Sequence, residues 1–171
     1  MKCVTMLEVH QPVGTFYFGK MTARDVVKIS KVSRRKGDHG HQRQLKESRI
    51  REISTYCQDP DATFPTPIIM SAKKDDFSIL SSSNSVNGLV CFEYDESKCQ
   101  VELLDGQHRI AGISNAREFD CELPIIIMFD LSEEQKAYVF STINGNQVKV
   151  DRSLIYDLFD LNKTRSPYKT C

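Results

Sequence analysis

Residues 101–113 have the sequence VELLDGQHRIAGI. The apolar residues before Asp105 predict a strand, Gly106 stands where the chain must turn tightly, and the residues from Gln107 onward predict a helix. The start of such a helix exposes unpaired backbone N–H groups at the positive end of the helix dipole, and both favour an anion. The stretch therefore predicts a strand-turn-helix that is able to bind phosphate.

The side chains of this turn admit two interpretations. As a site, Gly106 lets a phosphate oxygen approach the backbone, Arg109 binds phosphate bidentately, and His108 donates a hydrogen bond or transfers a proton. Asp105 would then hold a water-bridged Mg²⁺ or orient Arg109 or His108. As plain structure, Asp-Gly is a common turn and Asp is a good helix cap. The residues alone leave both interpretations open.

The composition indicates one globular domain. The chain has 171 residues, of which 40% are hydrophobic and 27% are charged, and this balance is typical of a folded protein. Lys plus Arg equals Asp plus Glu at 23 each, so there is no overall field that attracts DNA. Any contact with nucleic acid must come from a local basic patch.

The cysteines and the N-terminus indicate a cytoplasmic protein. The six cysteines are scattered without a C-x-x-C pair and are interpreted as reduced thiols. The N-terminus lacks the apolar stretch of a signal peptide or a membrane span, so no membrane association is expected. No metal site is predicted, because His39 and His41 have no Cys or carboxylate partners at ligand spacing.

Local patterns predict alternating strands and helices, which is typical of an α/β domain. A hairpin is expected over residues 3–18, and Thr22 with Asp25 approximates the cap of a following helix. Further strands are predicted at 68–70, 77–80 and 125–129, a second hairpin at 89–104, and helices at 45–58, 132–140 and 151–161.

The pentapeptide Asp105–Arg109, followed by I-x-G, resembles the signature of the DGQHR-domain family, which includes the DndB proteins of DNA phosphorothioation systems. It is also similar to the corresponding boxes of ParB and sulfiredoxin. Other segments of the chain resemble this family too, namely GTFYFGKMTARDV, QRQLKESRIREISTYC, FPTPIIMS and FSTINGNQVKV. The resemblance implies a ParB/sulfiredoxin-like α/β fold, with a mixed sheet and flanking helices, over residues 1–160. The last residues, KTRSPYKTC, neither close a core element nor look like an ordinary polar tail, so 161–171 are expected to be the start of a further, truncated region.

The resemblance also implies roles for particular residues. Gly106, His108 and Arg109 correspond to nucleotide phosphate contacts, and Arg43, Asn144 and Gln147 are further candidates, although INGN is also good turn chemistry. Sulfiredoxin requires a Cys where this chain has Gln107, so its thiolate chemistry is absent. Gln107 would either orient a water beside a γ-phosphate or only pack against the helix.

A basic segment provides a second candidate site. The residues that could contact a DNA backbone are Arg34, Arg35, Lys36, Arg43, Lys46, Arg49 and Arg51. A solvated loop and helix face explains these charges equally well.

The leading hypothesis is a nucleoside triphosphate-binding domain, in which Asp105, Gln107 and His108 would support Mg²⁺-dependent hydrolysis, in a DNA modification, restriction or phage-defence system. The alternative is a DndB-like DNA-binding regulator of phosphorothioation genes. A ParB-like nuclease ranks last, because Asp105 is the one obvious carboxylate of a metal cluster.

Overall fold

The computed structural model describes residues 1–31, 45–80, 88–116 and 118–145. Within these ranges one mixed sheet of eight strands has the order β3-β7-β4-β8-β2-β1-β6-β5. The strands are β1 (Lys2–Gln11), β2 (Gly14–Thr22), β3 (Ser30–Lys31), β4 (Ile68–Ala72), β5 (Phe77–Ile79), β6 (Leu89–Tyr94), β7 (Val101–Asp105) and β8 (Glu122–Phe129). The α-helices are α1 (Ala23–Ile29), α2 (Glu47–Tyr56), α3 (Gln107–Asn115) and α4 (Glu133–Gly145).

Several local predictions are confirmed. The first hairpin forms as β1 and β2, which pair antiparallel. The Thr22 hydroxyl accepts a hydrogen bond from the Asp25 N–H at 3.1 Å and caps α1. At α4, Ser132 and Gln135 form a reciprocal capping box, with bonds of 2.9 and 3.2 Å. The sheet contains antiparallel pairs, such as β1 with β2, and parallel pairs, such as β4 with β8, so the predicted α/β class with a mixed sheet is confirmed.

The predicted hairpin between residues 89–94 and 100–104 is wrong. Both strands exist, but β6 pairs with β1 and β5, whereas β7 pairs with β3 and β4. The residues between them do turn the chain, because the Cys99 N–H donates to the Asp95 carbonyl at 2.8 Å. Turn chemistry fixes a local change of direction, whereas the strand partners are chosen by long-range packing.

The last described helix is longer than predicted. It was expected to end at Phe140 but continues to Gly145, which places Asn144 inside the helix and not in a turn. The expected loop at 31–43, the Ser-rich loop at 81–85 and the expected helix at 151–161 lie outside the described residues, except for Lys31 in β3.

The core lies between the sheet and helices α1 and α3. Its fully buried side chains include Met6, Val26, Ile110, Leu123 and Ile125. Burying each such side chain contributes roughly 1.5–3 kcal/mol to folding. No helix in the described ranges is long and apolar enough to cross a membrane.

Helix α2 crosses α3 at Gly112. A Cβ atom at this position would lie 2.5 Å from Ile53 Cγ2 and 3.1 Å from the Ile50 carbonyl oxygen of α2. The I-x-G part of the pentapeptide region is therefore explained by packing, because the two helices approach too closely for any larger residue.

We expect Gly112→Ala to destabilise the protein, although alanine is the better helix former by about 1 kcal/mol. The overlap with α2 should outweigh that gain and cost a net of about 1–3 kcal/mol, measured by urea unfolding. Ser114→Ala, on the exposed side of the same helix, should change stability by less than about 0.5 kcal/mol. An unchanged or higher urea midpoint for Gly112→Ala would contradict the close crossing.

Candidate functional site

The turn at Gly106 is fixed by its backbone. Gly106 caps α3 with φ 91° and ψ 10°, a left-handed conformation that L side chains rarely adopt. A Cβ atom there would also lie 2.5 Å from Ile68 Cδ1. Glycine is therefore required by the fold, independently of any ligand.

The first turn of α3 presents backbone donors. The Ile110 N–H bonds to the Gly106 carbonyl at 2.9 Å and begins the helical hydrogen-bond pattern. The N–H groups of residues 107–109 precede this bond and point toward the start of the helix. With the helix dipole, they form the anion-favouring helix start that the sequence predicts.

His108 connects this turn to α2. Its Nε2 atom accepts a hydrogen bond from the Lys46 backbone N–H at 3.0 Å. In this contact Nε2 acts as the acceptor, which leaves Nδ1 as the ring nitrogen that can donate. His108 therefore positions the start of α2, which carries Lys46 and Arg49, beside the start of α3.

The Arg109 guanidinium is held by a backbone carbonyl and a carboxylate. Its Nη1 donates to the Thr66 carbonyl, and its Nη2 lies 3.7 Å from Asp105 Oδ2. Burial lowers the pKa of the Arg109 guanidinium, and the Asp105 carboxylate opposes that shift, so the group stays charged. A guanidinium has five N–H donors, more than these contacts use. The geometry favours an orienting role for Asp105.

Gln107 is anchored to the strand that precedes it. Its Nε2 donates to the Leu103 carbonyl at 3.0 Å. This contact agrees with the simpler of its two predicted roles, that of a packing residue. Any contact with a water beside a phosphate would have to use the remaining acceptor, Oε1.

All five residues of the pentapeptide Asp105–Arg109 line a pocket of about 430 Å³. It lies at the edge of the sheet where β7 ends and α3 begins. Its lining residues are Lys46, Arg49, Ile53, Thr66, Leu104, Asp105, Gly106, Gln107, His108, Arg109, Phe140 and Asn144. Lys46, predicted as a DNA contact, thus lies beside the pentapeptide.

Asn144 lines the pocket from α4, although its side-chain nitrogen donates to the Phe140 carbonyl of the same helix at 2.8 Å. The other predicted site residues, namely Arg34, Arg35, Lys36, Arg43 and Gln147, lie outside the described residues.

Besides Lys46, two polar residues of the pocket, Arg49 and Thr66, were not predicted as part of this site. Arg49 follows Lys46 at helical spacing, which was a usable signal. Thr66 contributes a backbone carbonyl, for which the sequence carries no signal.

Metal ligands are sparse in this pocket. Among the described residues, no group of three or more His, Cys, Asp or Glu side chains is placed to hold a metal ion. Asp105 is the carboxylate of the pocket, and it already contacts Arg109. A Mg²⁺ ion at this site would need further oxygen ligands from a bound phosphate and from water.

The described elements define an α/β domain built on one mixed sheet, and the helix start that follows β7 is its candidate anion site. The chain resembles the crystal structure of the C-terminally truncated chromosome-partitioning protein ParB from Caulobacter crescentus complexed with CTP-gamma-S, with a TM-score of 0.51 and 13% sequence identity. The match covers 86% of this chain and 66% of that one. At this identity the likeness shows the fold alone.

The family model described as "DndB: DNA-sulfur modification-associated" matches residues 4–170, and the chain belongs to this family. The resemblance inferred from the pentapeptide is therefore confirmed. No curated protein matches the chain.

We expect Gly106→Ala to destabilise the protein by about 1–3 kcal/mol in the absence of any ligand, because of its backbone conformation and its contact with Ile68. Urea unfolding measures the loss. The same substitution in an Ile68→Val background removes the clash with Cδ1 and should recover part of the stability. An unchanged urea midpoint in the single variant would show that this turn does not require glycine.

Proposed function

We propose that this domain binds a nucleoside triphosphate through its phosphates at the start of α3. The observation that carries the proposal is the pocket itself, which combines the first backbone N–H groups of α3 with Lys46, Arg49 and Arg109. The contacts are expected from Gly106, His108 and Arg109, and from Asn144, which also lines the pocket. Arg43 and Gln147 remain further candidates.

The charges of the pocket support a polyanion. Its three cationic side chains, Lys46, Arg49 and Arg109, face one carboxylate, that of Asp105, so the pocket is positive before the helix dipole is added. Arg109 is oriented by Thr66 and Asp105 in advance, and a side chain already fixed loses less conformational entropy when it binds. The donors are therefore preorganised for phosphate.

The volume of the pocket and the comparison of folds both support a nucleotide as the ligand. Pockets for small ligands and cofactors measure roughly 300–1,000 Å³, and this one has about 430 Å³. The similar ParB structure was determined as a complex with CTP-gamma-S. We therefore place CTP first among the nucleotides to test, before ATP and GTP.

We also propose that the domain hydrolyses the bound nucleoside triphosphate. In this reaction His108 or Gln107, through Oε1, would orient the attacking water, and Asp105 would hold a Mg²⁺-bound water. Mg²⁺ would enter with the phosphates, since it is commonly held by one or two carboxylates together with substrate oxygens. The family description, which concerns DNA-sulfur modification, supports a place for this domain in DNA modification. Restriction or phage defence is proposed as the wider system.

We expect CTP with Mg²⁺ to bind the purified protein and to raise its Tm, because a ligand stabilises the state that it binds. Arg49→Ala removes a cation from the pocket wall and should weaken binding about tenfold, measured by isothermal titration calorimetry. Arg109→Lys keeps the charge but loses the planar fork, and should weaken binding at least as much. Release of inorganic phosphate, measured in parallel, tests hydrolysis.

The control for these variants is Arg24→Ala, which removes an exposed guanidinium outside the pocket and should leave the affinity unchanged. The proposal fails if none of CTP, ATP and GTP binds with or without Mg²⁺. It also fails if Arg49→Ala and Arg24→Ala bind a nucleotide equally well.

A second candidate is a DNA-binding regulator of phosphorothioation genes in which the same fold serves as a scaffold. The family description, which concerns DNA-sulfur modification, favours a link to DNA. The exposed Lys46, Arg49 and Arg51 of the α2 region and the basic residues Arg34, Arg35 and Lys36 supply candidate phosphate contacts.

If this second function holds, the affinity for duplex DNA should fall as the salt concentration rises. Each phosphate contact should add about 0.9 to the steepness of the plot of log K against log salt concentration. Charge reversal at Arg34, Arg35 and Lys36 to Glu should flatten that slope by up to about 2.7 in a fluorescence anisotropy titration. The matched control reverses three exposed lysines elsewhere, Lys73, Lys74 and Lys98. No binding at low salt, or equal losses in the two triple variants, would exclude this regulator.

A further inference from the structure

A second pocket lies at the start of β7, whereas the candidate phosphate site lies at its end. This pocket measures about 700 Å³, and it shares none of its described lining residues with the phosphate site. Its lining includes Ser71 and Asp130, which mark the carboxyl ends of the parallel strands β4 and β8. Ligands commonly bind outside the carboxyl ends of strands in open α/β sheets. The cavity is called the Ser71 pocket below.

The Ser71 side chain is an enclosed polar group of this pocket. Ser71 is 5% exposed, and within the described residues its hydroxyl has no hydrogen-bond partner. Every side-chain oxygen that is sealed from solvent in the described ranges does have a partner, so the Ser71 oxygen opens onto the pocket. It offers one donor and two acceptor positions that the protein itself leaves unused.

An ion pair forms another part of the lining. The Lys136 ammonium of α4 lies 3.0 Å from the Glu102 carboxylate of β7 and 2.9 Å from the Glu133 carboxylate. Ser71 pairs directly with Glu102 across the sheet, so their side chains share one face. The Lys136 charge is balanced within the protein, and a ligand has to be recognised by the other charges of the lining.

Those other charges are balanced in sign. They are two ammonium groups and two carboxylates, namely Lys73, Lys98, Asp76 and Asp130. The Lys73 and Asp76 side chains make no hydrogen bond or ion pair with the described residues. Lys98 lies 3.6 Å from Asp95 with its side chain 83% exposed, and an ion pair of this kind is weak. Both signs of charge are therefore available to a ligand.

Asp130 is held in place by the protein. Its N–H donates to the Ala72 carbonyl at 3.0 Å, and its Oδ1 accepts a hydrogen bond from the Lys74 N–H at 3.1 Å. Its φ of 52° is uncommon for a residue other than glycine, and these two bonds fix that conformation. A carboxylate accepts several hydrogen bonds, so Asp130 has further acceptor positions for a ligand.

We propose that the Ser71 pocket binds a small zwitterion of the amino-acid class. Asp76 and Asp130 hold its ammonium group. Lys73 and Lys98 hold its carboxylate, and the Ser71 hydroxyl adds a hydrogen bond. A ligand with one sign of charge leaves the groups of the same sign without a partner, and an apolar ligand leaves all of them so.

The remaining features of the pocket agree with this class. Its apolar lining is Ala72, Val101 and Leu131, which leaves room for an amino-acid side chain. No aromatic side chain belongs to the described lining, so a nucleobase has nothing to stack on. The phosphate pocket, in contrast, has three cationic side chains and one carboxylate, and favours a polyanion.

Saturation-transfer difference NMR of the full chain with each of the common amino acids, without nucleotide, tests the class of ligand. At least one amino acid should give a saturable signal. Its N-acetyl derivative lacks the ammonium group and its amide lacks the carboxylate, so each should bind about tenfold more weakly than the parent amino acid.

Variants of the lining test the place of binding. Asp76→Asn and Lys73→Gln each remove one charge and should weaken binding of the parent amino acid about tenfold, measured by NMR titration. The matched controls are Asp75→Asn and Lys74→Gln, whose exposed side chains lie outside the lining and whose affinity should be unchanged. Asp76→Asn should not weaken the N-acetyl derivative further, because its ammonium group is already missing.

Ser71→Ala tests the enclosed hydroxyl. It should weaken binding about three- to tenfold without lowering the urea midpoint, because the hydroxyl has no partner in the described protein to lose.

Any of three results would overturn the proposal. The first is that no common amino acid binds. The second is that the N-acetyl derivative and the amide bind as tightly as the parent amino acid. The third is that Asp76→Asn and Lys73→Gln bind it as well as Asp75→Asn and Lys74→Gln, which would place the amino acid elsewhere. Because no nucleotide is present, these results leave the phosphate site untested and the two proposals fail separately.

Discussion

The left-handed turn at Gly106, packed against Ile68, is the constraint on which the candidate site depends. It directs the chain from β7 into α3 within one residue, so the start of the helix lies at the edge of the sheet. Gly112 then lets α2 approach α3 closely. The Lys46 N–H reaches His108 from the same helix region, and the cationic residues of α2 are thereby placed beside the first backbone donors of α3. One turn and one crossing therefore assemble the pocket.

Local sequence signals predicted the elements well and their arrangement less well. Thr22 and the Ser132–Gln135 box were identifiable because a cap acts within three residues. The pairing of β6 and β7 was mispredicted because the turn at Asp95 is equally compatible with a strand that joins β3 and β4. The helix predicted to end at Phe140 continues to Gly145, and the Asn144 side chain bonds back to this helix.

The side chains of the candidate site could be predicted from the sequence, whereas the backbone groups that contribute to it could not. The pentapeptide carried the strand-turn-helix and the family resemblance, and both are confirmed. Thr66 orients Arg109 through a carbonyl that every residue has, so no pattern could have identified it. From the sequence, Gly106 was expected to let a phosphate approach the backbone. The structure adds a second reason for glycine, namely the left-handed backbone angle and the contact with Ile68, so a glycine at this position is expected in a binding site and in a scaffold alike.

The central claim is therefore that the start of α3 contacts the phosphates of a nucleotide. The most direct measurement is a titration of ¹⁵N-labelled protein with CTP and Mg²⁺, followed by the amide chemical shifts in NMR spectra. We expect the amide signals of Gln107, His108 and Arg109 to move most, because a phosphate accepts hydrogen bonds from this turn. Saturable binding that leaves these three amides unmoved, or no binding of CTP, ATP or GTP, would contradict it.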